Sequence, residues 1–360
     1  MGVYGTIERM QIRASEEEIQ GFFTRLDRET EYFPGFHIAF GHHDLLLRFP
    51  DEETKERYRA FLALICTERG GEPDGTITLL HGEIGDYLNI SGGSGSDSCW
   101  EYKGEDSFIR YVGWQGRMLA YHTPGCRQYT VMSGPFDVYN PYCGPFHWEF
   151  HNFSASHGYA LVHSGAVGLN GEGVLISSLG GCGKSTTVLS CLLDGLDYVA
   201  DDYLILERET AKAYPLYNSG VLNEDSLQRL PELKPFIADT VPGRKDRYII
   251  DLSRYRDQFC HGMNIKAIVH PRVLPGGGPE GGAIIRKDPN HTAKTQLLVS
   301  SARQNGFVMM RDQDALHYLF GAVSGLPSYE LILSQDRQSN CRALRDLLGV
   351  LSETKQGEEK

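Results

Sequence analysis

Residues 173–186, GVLISSLGGCGKST, hold the strongest arrangement for chemistry in this chain. An apolar run, Val174–Ile176, leads into a glycine-rich turn, and Gly183-Lys184-Ser185-Thr186 then opens a helical stretch. Glycines let successive backbone N–H groups face phosphate oxygens, and a helix N-terminus adds partial positive charge. In such a Walker A loop Lys184 reaches the β- and γ-phosphates of a nucleotide, and the Ser185 hydroxyl ligates Mg2+. Ser178, Gly180, Gly181, Cys182, Gly183 and Thr186 complete the expected cradle. Ser178 stands where the pattern G-x-x-x-x-G-K-[ST] has its first glycine, which serine can replace if its φ stays negative. The competing reading is a tight strand-to-helix turn that binds nothing.

The second arrangement is Tyr198–Leu206, YVADDYLIL, where Asp201 and Asp202 interrupt an apolar segment. A buried carboxylate is costly unless a metal or a hydrogen-bond donor compensates it. Two adjacent acids shortly after a phosphate loop therefore suit a metal ligand beside a general base. Without the loop, Asp-Asp between strands reads as well as a turn with two exposed acids. His163 lies fifteen residues before Ser178, and Asp201 lies seventeen after Lys184. On its own, His163 also reads as a strand histidine satisfied by backbone.

Together, His163, the G-x-G-V-L-I run, Gly-Lys-Ser-Thr-Thr and the Ala-Asp-Asp triplet resemble the catalytic domain of the HPr kinase/phosphorylase-like serine kinase family. The likeness is greater to its divergent branch, which includes kinases acting on a serine of lasso precursor peptides. The resemblance spans roughly residues 155–350, most strongly 160–206. It implies an α/β P-loop kinase domain of the HPr-kinase C-terminal type, a mixed sheet with flanking helices. It implies ATP as donor, Mg2+ as cofactor, and a serine-type hydroxyl of a peptide or protein as acceptor. Lys184 and Ser185 would then bind phosphates and metal. Asp201 would take the acceptor proton, Asp202 would support the metal, and His163 would tune both acids. The second HPr kinase signature, Glu-Ile-Arg-Gly-Leu-Gly, does not occur, which argues against HPr as acceptor and leaves the reverse phosphorylase reaction an open question. Lys245 and Arg272 are the candidate cations for the γ-phosphate, although either also reads as a solvated surface charge. Two alternatives stand beside this one. The acceptor could be a small-molecule alcohol, such as free serine or a sugar, or the chain could bind nucleotide without catalysis as a peptide-maturation partner. HPr kinases assemble as hexamers, so a homo-oligomer is a further open expectation.

These residues need a scaffold. From about His147 the pattern alternates apolar strands with amphipathic helices, beginning with expected strands Ala160–Val167 and Gly173–Ser178 and a helix Ser185–Leu193 stopped at Gly195. Further along come a helix Glu224–Leu230, a strand Ile265–Val269, a glycine-rich loop Pro275–Gly282 and a closing helix Asn340–Leu351. The kinase-like domain is thus expected over residues 146–352, with 353–360 as a solvated tail. Residues 1–145 read as an α+β accessory domain. Its expected elements are a hairpin Phe36–Phe40/Leu45–Phe49, a helix Asp51–Ile65 and four short strands, with a flexible loop at Ser91–Ser98. His147 and His151 stand at i and i+4, a metal-capable spacing without a third ligand, so a structural role is expected.

Composition narrows the class. The 360 residues carry 35 Lys+Arg against 47 Asp+Glu, a net charge of −12, which argues against binding nucleic acid or an anionic membrane. At 41% apolar residues the chain can bury a core. Eight scattered cysteines without a C-x-x-C pair suit reduced thiols, and MGVYGTIERMQIRASEEE lacks the apolar core of a secretory signal. A cytoplasmic location is the expectation.

Overall fold

Alternation along one strand sets the architecture around the phosphate loop. Val174 and Ile176 join one hydrophobic core and Leu175, between them, joins another, so this strand is covered on both faces. The computed structural model describes residues 10–11, 14–68, 71–82, 84–88, 99–134, 144–241, 244–305 and 312–358. The expected loop 91–98 and the first nine residues lie outside that set. Contacts divide the chain into two units, one of residues 1–62 and 66–138, the other of residues 63–65 and 139–360.

The first unit is α+β. Its elements are β1 (Met10–Gln11), α1 (Glu16–Thr30), β2 (Gly35–Phe40), β3 (His43–Arg48), α2 (Glu52–Phe61) and β4 (Cys66–Thr67). They continue with β5 (Gly75–His81), α3 (Ile84–Tyr87), β6 (Cys99–Lys103), β7 (Ser107–Val112), β8 (Arg117–His122) and β9 (Arg127–Met132). The strands form one mixed sheet in the order β1-β6-β7-β8-β9-β5-β3-β2-β4. A capping box between Ser15 and Glu18 starts α1, whose Ile19, Phe22, Phe23 and Leu26 bury against Trp100, Ile109, Met118 and Val131. The expected hairpin is present as β2–β3.

The second unit opens with α4 (His147–Ser156), β10 (Tyr159–His163), β11 (Gly165–Leu169), β12 (Glu172–Ile176), α5 (Lys184–Leu193), β13 (Asp197–Ala200) and β14 (Tyr203–Glu207). Next come β15 (Lys212–Pro215), β16 (Ser219–Asn223), α6 (Glu224–Arg229), β17 (Ile237–Val241), β18 (Arg244–Asp251) and β19 (Met263–Arg272). The chain ends through β20 (Ile284–Lys287), α7 (Thr292–Asn305), α8 (Asp312–Val323), β21 (Ser328–Ile332) and α9 (Arg337–Glu358). The main sheet runs β10-β14-β15-β19-β12-β11-β13, with β21 parallel to the far half of β19 and β20 beside it. Helices α5, α6 and α9 cover one face through Val188, Leu189, Leu227, Leu344 and Leu348. Helices α7 and α8 cover the other through Ala293, Leu297, Leu319 and Val323. Each fully buried leucine stabilises this layering by roughly 2 kcal/mol. The expected mixed sheet with flanking helices is therefore present.

Two features of the topology place the chemistry. The expected single strand Ala160–Val167 is two strands, because the chain breaks at Ser164 and moves from one end of the sheet towards the other. The hydroxyl of Ser164 holds that break by donating to the carbonyls of Gly165 and Ile176, both at 3.0 Å. Asp201-Asp202 makes the reverse move, from β13 at one end to β14 near the other. No helix intervenes in either move, so the sheet curls until β13 lies against β14 and β15. His163 and the two aspartates thus occupy neighbouring corners. At the C-terminus α9 continues to Glu358, through residues expected as a tail.

Candidate active site

The glycine-rich loop expected to cradle phosphate joins β12 to α5. Gly181 and Gly183 have φ of +86° and +91°, a region that L-residues with side chains avoid. A side chain at Gly183 would also meet the Leu333 Cδ1 at 2.7 Å. Ser178 keeps φ out of the left-handed region and is buried, so serine replaces the first glycine of the pattern without strain. No side chain caps the start of α5, which leaves its first amides available to an anion. Cys182 is half-buried, and Gly180 has open space around its Cα. The hydroxyl of Thr186 donates to Ser226 at 2.8 Å, tying the first turn of α5 to α6.

Lys184, His163 and Asp202 converge on one atom. The Lys184 Nζ donates to the Asp202 Oδ1 at 2.8 Å and to the Asp201 backbone carbonyl at 2.5 Å. The His163 Nε2 meets the same Asp202 oxygen at 2.8 Å. Burial opposes ionisation of Asp202, but Lys184 and His163 outweigh it and hold this carboxyl well below the usual carboxylate range. Burial lowers the His163 pKa, and the charges of Lys184 and Arg247 lower it further, so the imidazole is neutral near pH 7. Behind it, the Ser300 hydroxyl bonds the His163 Nδ1 and the Tyr203 ring packs at 5.4 Å.

Asp201 is placed differently. It is 1% exposed, and its Oδ2 accepts from the Val221 amide at 3.2 Å. The Ser185 hydroxyl favours its ionised form. Burial and the neighbouring Asp202 charge raise its pKa to about 7, with Lys184 opposing. Of the expected metal ligands, Asp202 meets Lys184 and His163, and Ser185 acts on the neighbouring Asp201. Ser185 and Asp201 offer hard oxygen donors of the kind Mg2+ takes.

The two candidate cations do not join this cluster. Lys245 is exposed on β18 and bonds no described residue. Arg272 pairs with Glu330 at 2.9 Å, an acid that also holds Arg286. Besides Lys184, the cation that acts electrostatically on His163 is Arg247, opposite Asn223 in the β16–β18 ladder and two residues from the pair that anchors Asp201. Motif spacing did not single it out, since only the register of β18 distinguishes it from Lys245. His147 and His151 are both buried in α4, and His147 packs edge-on against Tyr203 at 4.5 Å. Among the described residues no three His, Cys, Asp or Glu side chains group as a metal site.

Sequence reasoning also missed a helix. Gln296, Ser300 and Ser301 of α7 touch the phosphate loop or His163, and nothing local in their sequence marks them. The same holds for His270, whose Nδ1 lies 3.2 Å from the carbonyl of Ser177.

No helix of the described residues is long and apolar enough to cross a membrane. No family model and no curated protein matches the chain in sequence. Among solved structures it is similar to the Hpr(Ser) kinase/phosphatase from Coxiella burnetii, at 13% identity and a TM-score of 0.30. That match covers 55% of this chain and 96% of the other, a likeness too loose to carry an argument about either fold or activity.

Proposed function

We propose that this protein is a phosphotransferase that moves the γ-phosphoryl group of ATP to a serine-type hydroxyl of a peptide or protein. The observation that carries the reading is the convergence of Lys184, at the first turn after a glycine loop, with His163 on a single oxygen of Asp202. A P-loop lysine serves phosphate, and a carboxylate backed by a neutral imidazole serves a proton. Both lie at one corner of the sheet.

In this reading the loop amides and Lys184 bind the phosphates, and Lys184 exchanges Asp202 for the γ-phosphate. Asp202, 22% exposed in its side chain, accepts the proton of the acceptor hydroxyl as that oxygen bonds to the γ-phosphorus. The bond from phosphorus to the β,γ-bridging oxygen breaks, and ADP leaves with that electron pair. His163 donates its Nε2–H to Asp202 and keeps the carboxylate aimed. Ser185 and Asp201 are the residues that would hold Mg2+, which when bound offsets phosphate charge. Arg247 supplies a second cation near the transferred group. The roles expected for the two aspartates are thereby exchanged. Asp201 is sealed from solvent against Ser185 and Val221, which suits support of a metal better than contact with an acceptor.

Purified protein, Mg·ATP and a serine-peptide library, followed by mass spectrometry for an added phosphate, test the proposal. Phosphoserine that disappears in Lys184→Ala and Asp202→Asn supports it. Turnover of a free alcohol with no peptide present would replace the acceptor class. Nucleotide binding without any phosphorylated product would refute catalysis. Full turnover in Asp202→Asn with loss in Asp201→Asn would restore the original order of roles.

A further inference from the structure

The polar residues of α7 have no part in the motifs, yet they touch both halves of the site. Gln296 and Ser300 are four residues apart and so share a helix face. The Leu179 amide, inside the phosphate loop, donates to the Gln296 Oε1 at 3.3 Å. The Ser300 hydroxyl bonds the His163 Nδ1, and the next residue, Ser301, accepts the His163 backbone amide at 3.1 Å. Resting on the phosphotransfer reading, we propose that α7 is the positioning element of this site. Gln296 fixes the phosphate loop, and Ser300 holds the His163 ring from behind so that its Nε2–H stays aimed at Asp202.

The hydrogen-bond pattern selects the Nε2–H tautomer. If Nδ1 carried the proton, the bare Nε2 would face the Asp202 Oδ1 at 2.8 Å, lone pair against lone pair. A doubly protonated ring would bury a second cation on an oxygen that already accepts from Lys184, a costly arrangement. With the proton on Nε2, every bond is satisfied, since the Ser300 O–H donates to the free Nδ1. Serine hydroxyls within helices often donate to the carbonyl one turn back, as Ser154 and Ser190 do here to Phe150 and Thr186. Ser300, buried at 4% exposure, turns to the imidazole instead.

The same logic runs through Gln296. Its amide nitrogen lies 3.4 Å from the His270 Nε2, and the His270 Nδ1 lies 3.2 Å from the carbonyl of Ser177. A carbonyl only accepts, so His270 is protonated on Nδ1 and its Nε2 accepts from Gln296. The chain of bonds therefore starts on α7 and ends on both sides of Ser178. The helix itself is anchored. Asp288 accepts from the Ala293 amide and the Ser328 hydroxyl, both at 2.9 Å, while Ala293 and Leu297 are fully buried in the core. A rigid helix that holds both the loop and the imidazole keeps their separation fixed, as in-line transfer requires.

The test uses the full-length protein and reads each half with and without turnover. The 15N shifts of the His163 ring, assigned by their loss in His163→Asn, report the tautomer directly. Wild type should show Nε2–H with a hydrogen-bonded Nδ1, Ser300→Ala a downfield move of the Nδ1 resonance as that bond is lost, and Ser300→Thr the wild-type pattern. Hydrogen–deuterium exchange of a peptide covering 173–186 should speed by about 10-fold in Gln296→Ala and stay unchanged in Ser300→Ala. With Mg·ATP, Ser300→Ala should lower kcat by about 10-fold with nucleotide KM within about two-fold, and Ser300→Thr should recover it. Gln296→Ala should raise nucleotide KM by about 10-fold with kcat nearly intact. An unchanged Nδ1 resonance in Ser300→Ala, or unchanged loop exchange in Gln296→Ala, overturns the proposal. Wild-type protein without nucleotide binding or turnover overturns phosphotransfer alone, because the tautomer and exchange measurements need neither.

Discussion

Asp201 makes a quantitative prediction about stability. In the folded metal-free protein burial, then the Asp202 charge, raise its pKa from an ordinary value of 3.8 to about 7. An acid with a raised folded pKa binds a proton that the unfolded chain has already released, so its contribution to stability falls as pH rises across that window. The gap corresponds to on the order of 4 kcal/mol between about pH 4 and pH 7, at ~1.4 kcal/mol for each pH unit. Asp201→Asn removes the titration but keeps a side-chain oxygen for the Val221 amide. The assay is urea unfolding followed by circular dichroism, in EDTA, at several pH values for wild type and variant. His163 and the surface acids titrate in both proteins and largely cancel in the difference. The variant should gain roughly 2 to 4 kcal/mol relative to wild type from about pH 4 to pH 7. Mg2+ should shrink that gain, because a cation on Asp201 favours its ionised form. Parallel stability curves, or a wild type that gains on the variant with rising pH, would show that Asp201 is not held in a low-dielectric pocket beside a second carboxylate.

Three further outcomes follow from the same geometry. Gly183→Ala should destabilise by about 1–2 kcal/mol, since φ is +91° and the new Cβ would meet Leu333, whereas Gly180→Ala, with open space, should change the urea midpoint little. Lys184→Ala should lower phosphotransfer by at least about 100-fold, measured as ADP release under saturating acceptor. Arg247→Ala should lower kcat by about 10-fold and Lys245→Ala by less than about two-fold, and equal effects would contradict the register-based distinction between them.

How much of this was legible beforehand varied with how local each requirement is. The conformation of the glycine-rich loop could be read directly because the loop is contiguous. Positive φ at Gly181 and Gly183, a lysine at the first helical turn and a hydroxyl after it are demands on neighbouring residues. The strands and helices next to it followed from apolar periodicity, as in β12 and α5. The break at Ser164 was not legible, because apolar residues continue on both sides of His163-Ser164 and nothing in the periodicity shows where a strand changes its place in a sheet.

By itself, then, the sequence determined an acidic chain with a glycine-rich Gly-Lys-Ser loop, a neighbouring pair of acids and a histidine at set spacings. Only the tertiary structure decided what each of them faces. Asp201 and Asp202 are chemically identical neighbours, and the curl of the sheet buries one against Ser185 and Val221 while turning the other to Lys184 and His163. Ser300 lies 137 residues from His163, and Gln296 lies 117 from Leu179. Their roles follow from long-range packing of α7, which leaves no trace in local residue types because a buried serine or glutamine is specified by what lies across from it.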